Sequence, residues 1–127
     1  MKRILFIALI SVAGVARASI PINDVLPKAL FTCSETVIAD IGPRLEGDTD
    51  YSSGVSVFFK NQGMQVGYDK LSAVIHSRIG DRVLVCLVDV PKNCPKGDDR
   101  GKVYTTTNLR TLESWTLPDS EHSCGGA

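Results

Sequence analysis

From position 33 onward apolar side chains recur at every second place in short runs, the pattern of half-buried β-strands rather than of helices. Val37, Ala39 and Ile41 alternate with Ile38 and Asp40 until Gly42-Pro43 interrupts, and residues 46–54, rich in Asp, Ser and Gly, predict a flexible connection. Val55, Val57 and Phe59 then share one face. Beyond Asn61-Gln62-Gly63 the alternation resumes at Met64, Val66 and Tyr68, which predicts a hairpin. Residues 71–79 fit a single helical turn or a strand. Gly80-Asp81 turns the chain into Val83-Leu84-Val85-Cys86-Leu87-Val88, apolar on both faces and therefore expected to be a buried central strand within residues 82–90. Residues 102–108 and 113–117 predict a last hairpin, with Thr105, Thr106 and Thr107 on one arm and Trp115 on the other. Some six short strands and no long helix predict a mainly β domain, a small antiparallel barrel or sandwich.

Ahead of that domain the pattern changes twice. Lys2 and Arg3 precede an apolar run of about 12 residues that ends at Ala16-Arg17-Ala18, the layout of a cleavable export signal over residues 1–18. The run is shorter than the roughly 20 residues a membrane-spanning helix needs. Residues 19–32, with Pro21 and Pro27, read as an extended arm holding at most one helical turn near Ala29 and Leu30; residues 33–127 read as the single β domain. The whole chain carries 14 basic and 14 acidic side chains, but losing Lys2, Arg3 and Arg17 leaves a net charge of −3. That balance argues against nucleic acid or an anionic membrane as partner. A periplasmic or secreted location is expected, with no membrane insertion once the signal is removed.

All four cysteines, Cys33, Cys86, Cys94 and Cys124, lie beyond the signal, and an even count in a small exported domain predicts a disulfide framework. Of three possible pairings, Cys86 with Cys94 would force the chain to double back at once from strand to loop. Cys33 with Cys86 and Cys94 with Cys124 close spans of 53 and 30 residues, to which chain entropy assigns roughly 4 and 3.6 kcal/mol. A zinc site of Cys86, Cys94, His122 and Cys124 lacks the close ligand pairs of structural zinc. No metal and no cofactor is expected.

The block Cys86, Cys94-Pro95, Gly97-Asp98, Arg100-Gly101, Tyr104, Asn108, Thr111, Trp115, Asp119-Ser120, His122 and Cys124-Gly125-Gly126 resembles one that recurs in small exported proteins of Gram-negative bacteria with no assigned function. The likeness covers residues 55–127. It implies a shared fold and transfers no activity. Leu112 departs from it, since the family often has Gly at a turn that prefers positive φ.

Candidate chemistry concentrates near the C-terminus. Ser120 or Cys124 with His122 and Asp119 could outline a nucleophile, its base and an orienting group, but all lie within six residues of one irregular tail. Asp98 and Asp99 lack the rest of a calcium loop and read as turn formers. Tyr104 and Trp115, one on each arm of the last hairpin, read first as cross-strand packing; alternatively the Cys94–Cys124 bridge gathers Asp98, Asp99, Arg100, Asp119, Glu121 and His122 beside these two as a binding surface with aromatic anchors and a charged rim. A non-catalytic module for an envelope protein or glycan is the leading expectation. A periplasmic lysozyme-inhibitor-like protein, to which an acidic domain would suit a basic enzyme, a structural envelope protein and, last, a small hydrolase are the alternatives.

Overall fold

The computed structural model describes residues 24–126, so the expected export signal lies outside the described residues. Six strands, β1 (Cys33–Pro43), β2 (Val55–Phe59), β3 (Met64–Gly67), β4 (Arg82–Asp89), β5 (Val103–Asn108) and β6 (Ser114–Pro118), form one antiparallel sheet in the order β3-β2-β1-β4-β5-β6. The sheet curls into a half-barrel that brings its edges, β3 and β6, toward each other. Gly67 of β3 allows that approach: a Cβ there would stand 2.6 Å from a methyl of Leu117 on β6.

β1 organises the curl because its two halves serve different neighbours. Cys33 to Val37 pair with β4, and Ile38 to Pro43 pair with β2, with a register shift between Ile38 and Asp40. Such a bulge bends a strand and reverses which parity faces inward. Ser34, Thr36 and Ile38 are buried before it, and Ile41 packs on the core after it. The expected grouping of Val37 and Ala39 with Ile41 therefore does not hold. Gly42 and Pro43 do not interrupt the strand but are its last two residues, both paired with β2.

The core is Ile38, Val55, Val57, Phe59, Val74, Val83, Val85, Leu87, Tyr104, Trp115 and Leu117. β4 is central in the sheet, as expected, but only its Val83, Val85 and Leu87 face is buried; Leu84 on the other face is 37% exposed. Its apolar outer face carries the Cys33–Cys86 disulfide, which joins directly opposed residues of β4 and β1. Cys94–Cys124 ties the β4–β5 loop to the C-terminal tail, so both pairings are those expected from the sequence. The ambiguous segment is α1 (Ser72–Ile75), one turn that seats Val74 in the core. Among the described residues no helix is long and apolar enough to cross a membrane.

Candidate functional site

The loop and tail are tied by more than sulfur. Arg100 donates to both oxygens of Asp98, at 2.9 and 3.0 Å, and to Gly126 O at 3.2 Å, while Gly125 N–H donates to Asp98 Oδ2 at 2.9 Å. Cys124 N–H reaches Arg100 O at 2.9 Å, and Gly101 N–H reaches Asp119 Oδ1 at 2.7 Å. The Arg100 guanidinium and the Gly125 amide hold the Asp98 carboxyl well below the usual carboxylate range. Lys102 does the same, less strongly, for Asp99, which it contacts at 2.9 Å. Asp98, Asp99, Arg100 and Asp119 are thus gathered as expected. These bonds, and not the Cys94–Cys124 bridge alone, pin the tail.

Tyr104 and Trp115 do not join that surface. They are 2% and 5% exposed, because Tyr104, Thr106 and Asn108 share the inward parity of β5, as Trp115 and Leu117 do on β6. Their partner is Gln65, a fully buried amide on β3. Its Nε2 donates to Tyr104 O at 2.7 Å and Leu117 O at 3.1 Å, and its Oε1 accepts from Thr106 Oγ1 at 2.6 Å and Trp115 Nε1 at 2.8 Å. Both donors and both acceptor positions of the amide are used. Burial pushes the Tyr104 phenol up to about 12. The expected aromatic anchors are core residues.

A different aromatic stands on the surface. Tyr68, just past β3, is 55% exposed; the Arg44 guanidinium stacks 4.4 Å from its ring centroid, and its hydroxyl donates to Glu121 O at 3.3 Å. Arg44 also donates to Glu121 Oε1 at 3.2 Å and to Ser53 O at 2.7 Å. Glu121 therefore belongs to this cluster and not to that of Asp98, while His122 is exposed. The tail spans from the β4–β5 loop to the β1–β2 loop and closes one end of the half-barrel. Nothing in the alternation around Met64, Val66 and Tyr68 marks Tyr68 as the one left outside; its packing on Arg44 is set by the long β1–β2 connection.

At the other end, Asp81 accepts from Arg110 Nε and Nη2 at 2.7 and 2.8 Å, from Asn108 Nδ2 at 2.8 Å and from Arg78 N–H at 2.9 Å. This network, buried at Asp81 and Asn108, joins the segment after α1 to the β5–β6 turn, and the Arg110 bonds, above all, hold Asp81 well below the usual carboxylate range. His76, beside it, meets Glu113 at 3.0 Å on the surface. Ser120 Oγ donates to the carbonyl of His122 at 2.7 Å, and Cys124 is in a disulfide, so neither nucleophile of the hydrolase reading is set against the His122 ring as base. Among the described residues no cluster of three metal-ligating side chains occurs. Comparison with protein families, curated proteins and solved structures finds no match to this chain.

Proposed function

We propose that this is an exported, non-catalytic binding module of the bacterial cell envelope, in which the Tyr68 surface takes a protein or glycan partner. The observation that carries it is the exposed Tyr68 ring, immobilised by the Arg44 stack and its hydrogen bond to the tail. A rigid, amphipathic aromatic with charged neighbours loses little freedom on binding and is the usual centre of a recognition hot spot. Asp69 beside it, and Glu46 and Asp50 on the β1–β2 loop, are exposed against a single exposed Lys70, with Glu121 paired to Arg44, a balance that favours a basic partner over an acidic one. Export rests on the basic and apolar start of the sequence; the two disulfides are compatible with a location outside the cytoplasm.

The test compares the exported protein with Tyr68→Ala as baits in envelope extract and in sedimentation with peptidoglycan. The substitution should weaken capture about thirtyfold, as loss of a hot-spot residue worth about 2 kcal/mol does, and leave the unfolding midpoint nearly unchanged. Equal capture by both baits would remove Tyr68 from the interface. Inhibition of a lysozyme by the native protein would make that enzyme the partner.

A further inference from the structure

Between the arm and the start of β1 lies an open cavity of about 300 Å³. Val25, Leu26, Pro27 and Ala29 form apolar walls, and Lys28 and Ser34 supply polar groups. Its setting is firm. Leu26 packs against the core, Asp24 accepts from Thr36 Oγ1 at 2.5 Å, and Phe31 N–H donates to Leu87 O at 2.8 Å.

Three features point to an anionic amphiphile. Ser34 is only 5% exposed and its hydroxyl, with less than 1 Å² accessible, has no hydrogen-bond partner among the described residues, a deficit that a ligand oxygen would remove once the side chain turns toward the cavity. Lys28 is exposed and forms no ion pair among the described residues, while the nearest acidic residue in sequence, Asp24, is engaged by Thr36. In the same short segment Val25, Leu30 and Phe31 are 59%, 47% and 78% exposed, more apolar surface than scattered exposure gives.

We propose that this cavity binds a free aliphatic monocarboxylate, its chain along Val25, Leu26, Pro27 and Ala29 and its carboxylate at Lys28 near Ser34. A volume of about 300 Å³ is at the small end of ligand sites and suits a short aliphatic chain. The site is separate from the Tyr68 surface and does not depend on the function proposed for it.

Octanoate, with octanol as its uncharged counterpart, is the probe. Titrated into the exported protein and followed by amide NMR, octanoate should shift residues 25–34 saturably with one-to-one stoichiometry. Octanol should bind about fivefold more weakly, Lys28→Gln should bring octanoate down to that level, and Ala29→Trp, which fills the cavity, should abolish binding without moving the thermal midpoint. Tyr68→Ala should leave octanoate binding unchanged. The assignment is overturned if no saturable shift occurs, if the shifts centre outside the arm and β1, if octanol binds as well as octanoate, or if a folded Ala29→Trp protein still binds.

Discussion

Gln65 shows what one side chain can do in a small core. It reaches from β3 to β5 and β6 across the seam of the half-barrel and satisfies the Trp115 indole and the Thr106 hydroxyl, both of which are buried. Replacing it with leucine keeps the volume but strands those two donors, each at about 1–3 kcal/mol. Gln65→Leu should therefore lose about 2–6 kcal/mol of stability in urea unfolding followed by Trp115 fluorescence; a loss below about 1 kcal/mol would mean that the network contributes little. Leu112 is the opposite case. It stands at φ +60 with 78% of its surface exposed, so the strain of a left-handed residue is not offset by burial. Leu112→Gly should stabilise the domain by up to about 1 kcal/mol, read as a higher urea midpoint. A lower midpoint would show that the Leu112 contacts outweigh the strain.

Among the elements, the two disulfides hold different things. Cys33–Cys86 joins β1 to β4, strands that cannot separate without opening the core, so removing it should cost close to the roughly 4 kcal/mol of loop entropy. Cys94–Cys124 holds a tail that contributes no residue to the core cluster. Without it the tail can undock locally, and the cost to global stability is capped by the free energy of docking. The Cys94→Ser, Cys124→Ser protein should thus unfold in urea only slightly earlier than native while amides of residues 119–126 exchange much faster; equal global losses for the two disulfides would contradict this. The same contrast shows what could be read from the chain. Strand positions and cysteine pairing follow from local alternation and spacing, which act over a few residues or through a covalent link. The bulge at Ala39 leaves no mark in composition, and it decided which side of β1 faces inward. Tyr104 and Trp115 looked like partners for a ligand because aromatics on a hairpin are ambiguous until the curl of the sheet places them, and Tyr68 became the exposed ring only because β3 ends where Arg44 begins its loop.

For the whole molecule, aspartates tie down both ends of the half-barrel. Asp81 binds the β5–β6 turn to the chain after α1, Asp98 binds the tail to the β4–β5 loop, and Asp48 organises the β1–β2 loop through the Ser53 hydroxyl and amide. All three are held below their ordinary value of 3.8 by these hydrogen bonds. A carboxyl whose folded pKa is depressed contributes stability that is fully present above the unfolded value and is lost as pH falls through the folded one. The urea midpoint should accordingly not change on account of these groups between pH 7 and about 5, and should fall below that as the unfolded chain takes up protons that the folded carboxylates refuse. Asp81 should dominate, since it is 9% exposed, whereas the surface pairs are screened by solvent and salt. Asp81→Asn cannot form the charged bonds to Arg110, so it should be less stable than native at pH 7 and show a flatter decline below about pH 5. The two curves should then converge in acid; curves that run parallel from pH 7 to pH 2 would show that acid unfolding is governed elsewhere and that the Asp81 network is not what joins the turn to the barrel.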